Sequence, residues 1–152
     1  MTRNSNESAL PELKKVFANG GPRAAIAFLN SLTDHRFTSL YRFDGEMLRN
    51  ITFYDRERHE LDICEDIPVM ASYCVFVRNS GTMFTTAEAQ HDDQLQNHPK
   101  QSTVQSYCGV PLLDGEGKLF GSICDFDFKP GRIADLDVDL LEYMAILLQK
   151  QL

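Results

Sequence analysis

The sequence has no long apolar run, and its first residues, MTRNSNESALPELKK, lack the apolar segment of a secretion signal. No stretch approaches the roughly 18 uninterrupted apolar residues that a membrane-spanning helix requires. Basic residues are also too few to form a basic stripe, because the 22 Asp and Glu outnumber the 15 Lys and Arg and give a net charge of -7. Since nucleic-acid binders usually display a basic face, we expect neither nucleic acid nor membrane as a partner. These absences predict a soluble, cytoplasmic protein.

Cysteine is scarce and never forms a CxxC pair. The four cysteines are Cys64, Cys74, Cys108 and Cys124. Three of them lie in apolar surroundings, where a reduced thiol behaves as a small hydrophobic side chain. We therefore expect no structural disulfides. The chain also contains no internal repeat and no low-complexity segment, and its 152 residues are a typical length for one domain.

The most informative stretch is residues 106–130, which read SYCGVPLLDGEGKLFGSICDFDFKP. Its apolar residues alternate with period two, which predicts two strands: one with Cys108, Val110 and Leu112 on a single face, the next with Phe120, Cys124, Phe126 and Phe128. The segment 114–117, Asp-Gly-Glu-Gly, joins them, because glycine permits the positive φ that a tight hairpin requires.

The order GVPL at 109–112, then G-x-G, then GSICDFD at 121–127 resembles the last two strands of a GAF domain, a small ligand-binding sensory module. The resemblance begins at Pro22 and implies an α+β fold. That fold is PAS-like, with an antiparallel sheet of five or six strands, terminal helices on one face, and a short helix plus loops covering a pocket on the other. We divide the chain into an N-terminal helix and linker, residues 1–21, and a GAF domain, residues 22–152.

The rest of the chain supplies the other elements that this fold requires. Gly and Pro mark most of the element ends, as at Gly20-Gly21, Pro22 and Asp44-Gly45. The predicted elements are helices at 8–19, 22–36, 67–78 and 134–152, strands at 37–43, 47–53 and 82–86, and a polar cover over 87–106. The final helix is apolar on two faces, Leu136, Leu140, Tyr143 and Leu147 on one and Leu141, Ala145, Leu148 and Leu152 on the other. A helix on a sheet buries one stripe, so we expect a homodimer held by the terminal helices.

Topology predicts a pocket between the sheet and the segment 54–106. The predicted ligand-binding residues are Tyr73, Cys74, Phe76, Tyr107, Asp125 and Asp127. Among them Asp125 is a charged group near an apolar wall, able to orient a donor on a ligand. His91, Asp92, Asp93 and His98 are suitable metal ligands by type, but their spacing fits no helix face, so we predict no metal. Cofactor and ligand identity stay open.

One similarity points to an enzyme. Cys64 and Cys74 form a C-x9-C around Ile67-Pro68, which is similar to the paired cysteines of the free methionine-R-sulfoxide reductases, themselves single GAF domains. Reduction of a sulfoxide needs a thiolate nucleophile and a second thiol to resolve the oxidised form. In that family the nucleophile is a further cysteine in the cover, where this chain has Asn97-His98-Pro99.

The sequence therefore supports three functions. We favour a non-catalytic sensory domain that binds a small molecule and signals through its terminal helices. The alternatives are a divergent reductase that uses Cys64 and Cys74, and a dimerisation module with no ligand. No cysteine is followed by the histidine of bilin-binding GAF domains, and we find no cyclic-nucleotide signature.

Overall fold

A computed structural model describes residues 2–152, with side chains from residue 9 onward. Three helices and six strands make up the fold. In chain order they are α1 (Thr2–Ser31), β1 (Phe37–Asp44), β2 (Met47–Asp55), β3 (Ile67–Pro68), α2 (Cys74–Ser80), β4 (Phe84–Thr86), β5 (Ser106–Leu113), β6 (Leu119–Asp127) and α3 (Asp135–Gln149). None of the described helices is long and apolar enough to cross a bilayer.

The strands form one antiparallel sheet in the order β3-β2-β1-β6-β5-β4. The two predicted hairpins, β1-β2 and β5-β6, therefore lie side by side through the pairing of β1 with β6. β3 is an edge strand in which Pro68 pairs with Met47, a position where the missing N–H of proline costs little. The predicted α+β architecture is confirmed, with six strands.

Two apolar clusters cover the two faces of the sheet. The first, which we call the helix-side cluster, joins α1 and α3 to residues such as Leu40, Val110 and Ile123. The second, the cover-side cluster, joins α2 and the 87–106 segment to residues such as Tyr107 and Cys124. The alternation predicted for β5 is confirmed, because Cys108, Val110 and Leu112 all belong to the helix-side cluster and Tyr107 to the other.

The second apolar face of α3 does not need a neighbouring chain. Leu141 and Leu148 are as buried as Leu140 and Leu147, because α1 and the sheet together enclose both rows. The part of α1 before Gly21 packs in that same core through Leu13 and Phe17. The expectation that the second apolar face of α3 needs a partner chain is therefore wrong. Of the large apolar side chains of α3, only Ile146 is mainly exposed.

α1 contains the break that the sequence predicts, although the helix begins earlier than Ser8. Gly21 has φ 81° and ψ -172°, outside the helical region, and φ of this sign strains any residue with a Cβ. Pro22 follows, where its missing N–H is tolerated because a new helical segment starts there.

Two local predictions are wrong. The predicted helix 67–78 is an edge strand, a 3-10 turn at Val69–Ala71, an extended Ser72, and only then α2. Phe120 does not share the face of Cys124 and Phe126. The pairing of β5 with β6 shifts by one residue there, so that Phe120 packs against the helix-side cluster.

Candidate functional site

A cavity of about 270 Å³ opens on the cover side of the sheet, at the place that the topology predicts. The sheet supplies its floor through Tyr41, Tyr107, Cys124 and Phe126, and β3 with the turn that follows supplies one wall. The cover segment supplies the opposite wall. The complete lining is Tyr41, Cys64, Glu65, Ile67, Ala71, Ser72, Tyr73, Lys100, Thr103, Val104, Tyr107, Cys124, Phe126 and Phe128.

The three tyrosines of the cavity use their hydroxyls within the protein. Tyr73 Oη donates to the Val104 carbonyl over 2.8 Å, Tyr107 Oη donates to Cys74 Sγ over 3.2 Å, and Tyr41 Oη lies 3.3 Å from Cys64 Sγ. Burial raises the pKa of Tyr73 to about 12, and it also raises the pKa of Tyr41 and of Tyr107 well above the ordinary value. These phenols therefore present neutral rings to the cavity, with their polar ends already bonded.

Cys64 and Cys124 line the cavity, whereas Cys74, the cysteine with a lowered pKa, lies behind it. Burial alone would raise the pKa of Cys74, but hydrogen bonds from Cys124, Ser122, Ser72 and Tyr107 to its sulfur lower that pKa to about 6. Cys74 is fully buried and does not line the cavity. Cys64 does line it, but burial raises the pKa of this thiol, despite opposing hydrogen bonds from Tyr41 and Ser39. The thiol with the lowered pKa is thus separated from the space that a substrate would occupy.

His98 fixes the cover segment against the wall of the cavity. Its Nδ1 accepts from the Lys100 amide over 3.0 Å, so Nε2 carries the hydrogen and donates to the Ser72 carbonyl over 3.2 Å. The ring lies 4.8 Å from that of Tyr73. Burial lowers the pKa of His98, so it stays neutral in this role. Lys100 is thereby held beside the cavity, half-buried.

Of the six predicted ligand-binding residues, the structure places Tyr73 and Tyr107 in the cavity lining. Cys74 lies behind Tyr107, and Phe76 stacks on Phe84 at 4.5 Å, away from the lining. Asp125 and Asp127 lie on the other face of β6 from Cys124 and Phe126, which do line the cavity. The predicted contact of Asp125 with a ligand in this cavity is therefore corrected.

Asp125 belongs to a buried polar network at the start of α3. Its Oδ1 accepts from Thr38 Oγ1 over 2.5 Å, and Thr38 in turn accepts from Asn30 Nδ2 over 2.9 Å. Next to it His35 Nε2 meets Asp137 Oδ2 at 3.1 Å, and that oxygen also accepts the Ala134 amide at the first turn of α3. Asp125 Oδ2 is buried without a partner. Burial consequently raises the pKa of Asp125 to about 7, although Thr38 and the charge of His35 oppose the shift.

Asp127 has a structural task of its own. One oxygen accepts the Arg36 amide over 3.0 Å and the other the Lys129 amide over 3.2 Å, so this carboxylate fastens the end of the β1-β6 pair at which β1 begins and β6 ends. Among the described residues there is no group of three or more His, Cys, Asp or Glu side chains that could hold a metal ion, so His91, Asp92, Asp93 and His98 are not brought together as one.

Sequence reasoning missed several residues of the cavity. Tyr41 could have been found, because it shares a strand face with Phe43, which packs in the cover-side cluster. Phe126 had the same signal, through its period-two relation to Cys124. No sequence signal identifies Lys100, Thr103 or Val104 as cavity residues, because the cover has no periodic pattern and its path is fixed by irregular turns.

A single antiparallel sheet with two helices on one face and a partly open, aromatic cavity on the other is the α+β architecture of a small sensory domain. Residues 22–152 match the family model described as GAF domain, and the chain belongs to that family. Cyclic di-GMP phosphodiesterase PA2567 of Pseudomonas aeruginosa is 31% identical over 96 residues, covering 60% of this chain and 16% of that protein. The chain thus corresponds to about a sixth of the length of that curated relative.

Two solved structures illustrate how widely the fold is shared. Free methionine-R-sulfoxide reductase from Neisseria meningitidis, in complex with its substrate, has a TM-score of 0.77 at 18% identity and covers 99% of this chain and 90% of its own. The GAF domain of a phosphoenolpyruvate-protein phosphotransferase from Coxiella burnetii has a TM-score of 0.75 at 12% identity, covering 99% and 94%. At these identities the likeness concerns the fold alone.

Proposed function

We propose that this chain is a non-catalytic regulatory GAF domain that binds a small molecule in the cavity and passes its occupancy to the terminal helices. The observation that carries the proposal is the partly open cavity of about 270 Å³ between the sheet and the cover. Small-molecule sites are concave, mostly apolar and largely preformed, and this cavity has all three properties. The cytoplasmic location stays a prediction from the sequence.

β6 offers a physical route from the cavity to α3. Cys124 and Phe126 touch the cavity, whereas Asp125 between them points into the network with Thr38, and beside His35 and Asp137. A ligand that presses on the two cavity-facing side chains would shift the carboxylate on the opposite face of the same strand. Because Asp137 lies in the first turn of α3, such a shift acts on the terminal helix through the charges of His35 and Asp137.

Retention of a small molecule tests the binding proposal. We expect native mass spectrometry of freshly purified protein to show a bound species, or a metabolite screen by thermal shift to find one. The variant Ala71→Phe should lose it, because this methyl group lines the cavity and a phenyl ring would fill that space. Met70→Phe is the matched control, since Met70 is the exposed neighbour in the same turn and is not part of the lining.

The proposal fails if no compound binds the parent protein, or if Ala71→Phe binds it as well as Met70→Phe does. The first outcome would favour the dimerisation module without a ligand. Such a module, or a homodimer in general, would need an exposed apolar surface for its interface. Ile146 is exposed, and beside it lies a groove of about 190 Å³ lined by Val110, Pro111 and Leu113. Light scattering would then give twice 17.3 kDa.

The reductase alternative predicts a different result. We expect no turnover of free methionine sulfoxide with thioredoxin or dithiothreitol, because the accessible thiol of Cys64 has a raised pKa and the acidic thiol of Cys74 has no contact with the cavity. His98 lies in the part of the cover where the free methionine-R-sulfoxide reductases have their nucleophilic cysteine. Robust turnover that is lost in Cys74→Ser but kept in Cys108→Ser would establish the enzyme instead.

A further inference from the structure

The interior of the cavity offers a ligand rings and methyl groups but few free hydrogen-bonding atoms. All three tyrosine hydroxyls are used within the protein, as described above. The backbone carbonyl of Ser72 accepts from His98, and its hydroxyl oxygen accepts from the Cys74 amide over 3.0 Å. A polar ligand body would have to leave water for a surface that cannot replace its hydrogen bonds, which is unfavourable. An apolar, flat body fits instead, since aromatic rings line the floor and one wall.

Two of the residues that line the cavity carry a charge, Glu65 and Lys100. Glu65 is exposed, so water screens its carboxylate, whereas Lys100 is half-buried. The ammonium of Lys100 forms no ion pair with any described side chain, and the hydrogen bonds of His98 hold the Lys100 backbone beside the cavity. An unpaired, partly desolvated cation next to an apolar chamber favours an anionic group on the ligand at that point.

From these two observations we propose that the ligand is an aromatic carboxylate, with its ring system in the cavity and its carboxylate at Lys100. This inference rests on the proposed function, since it names the chemical class of the molecule that the cavity takes. The volume of about 270 Å³ has room for one or two fused rings but not for a dinucleotide.

The test is a titration of the whole chain with two probes of the same shape and different charge. 2-Naphthoate is the carboxylate and 2-naphthalenemethanol its uncharged counterpart. We expect 2-naphthoate to bind about fivefold more tightly than the alcohol, the size expected for one partly exposed ion pair. In Lys100→Gln the two probes should bind equally. Lys118→Gln, in the β5-β6 hairpin outside the cavity, should keep the difference.

A filled cavity provides the second arm. Ala71→Phe should weaken 2-naphthoate at least about tenfold while Met70→Phe leaves it unchanged, because removing the space removes the apolar contacts. Thr103→Phe, which alters the opposite wall, replaces Ala71→Phe if circular dichroism shows that the latter is unfolded.

The outcomes separate the inference from the function on which it rests. If neither probe binds while a polar or cationic molecule is retained and is lost in the filled variant, the ligand class is wrong and the sensory cavity stands. If the alcohol binds as tightly as the carboxylate, the role of Lys100 is wrong. If nothing binds and the filled variants match their controls, both the inference and the proposed function fall.

Discussion

Gly121→Ala is expected to destabilise the protein by about 3 kcal/mol or more, one of the two largest effects among our predictions. Gly121 lies in β6 opposite Arg42 of β1, in the centre of the sheet. A Cβ built there would stand 3.0 Å from the Arg42 Cα, 2.8 Å from the Tyr41 carbonyl carbon, and closer still to that carbonyl oxygen. Those atoms are backbone, so no side-chain rotation relieves the clash and the strands themselves must separate.

Urea unfolding followed by circular dichroism measures this loss. For a chain of this length it corresponds to a fall in melting temperature of about 10 °C. Gly131→Ala is the matched control, because its Cβ would meet only Ser106 Oγ at 3.8 Å, an ordinary contact, and it should change the unfolding free energy by less than about 0.5 kcal/mol. An unchanged midpoint for Gly121→Ala would mean that the β1-β6 contact is looser than the structure has it.

The sequence motif includes Gly121 but does not explain why glycine is required at this position. Positions 121–127 match the family pattern, and the strand alternation there is a local property that the sequence expresses directly. The demand for glycine arises from β1, eighty residues earlier in the chain, where the pairing with β2 shifts register between Leu40 and Tyr41. Such a contact between distant segments leaves no local signal.

The misplacement of Asp125 has a different cause. Period two places Cys124 and Phe126 on one face of β6 and Asp125 on the opposite face, but it does not say which face meets the pocket. From the sequence, Asp125 is expected in the pocket because a charged group beside an apolar wall can orient a donor on a ligand, whereas its burial on the helix side carries a cost. Thr38 and the nearby His35 reduce that cost, and neither is recognisable as a partner from the sequence.

The 67–80 segment shows the limit of apolar periodicity. Two rows at helical spacing, Val69-Tyr73-Phe76 and Met70-Cys74-Val77, predict a helix of several turns, and most of those side chains are indeed buried in the cover-side cluster. The chain buries them with an edge strand, a 3-10 turn and an extended Ser72, whose hydroxyl accepts the Cys74 amide. Burial was therefore predictable from the pattern, whereas the backbone path that achieves it was decided by the pairing of β3 with β2.

Replacing Asp125 by Asn is expected to remove a large part of the pH dependence of stability. Asp125 has no exposed surface, its Oδ2 has no partner, and its pKa in the folded protein is about 7, against an ordinary value near 4 in an unfolded chain. Burial is the main cause. The groups that face it are Thr38, which donates to it, the charges of His35 and Arg56, which lower its pKa, and the charge of Asp137, which raises it.

The sign follows from which state holds the proton. As the pH rises from about 4 to about 7, the unfolded chain gives up the Asp125 proton while the folded protein keeps it, so the folded state loses stability. Below pH 4 the effect is absent, and above pH 7 it is complete. Between pH 5 and pH 8 this one group should cost the parent protein about 2 to 3 kcal/mol. The pKa of His35 is also raised, by its bond to Asp137 against the opposing effect of burial, so its contribution is lost in the same direction.

Urea unfolding of the parent protein and of Asp125→Asn at pH 5, 6.5 and 8 measures the difference. The amide stays neutral throughout, so the free energy of unfolding of the variant should rise relative to the parent by about 2 to 3 kcal/mol from pH 5 to pH 8. A constant offset, from an imperfect fit of the amide beside Thr38, does not affect that slope. Asp34→Asn, an exposed change in the loop before β1, should run parallel to the parent. Parallel curves for Asp125→Asn as well would show that Asp125 is ionised in the folded protein throughout this range, with a stronger partner than Thr38.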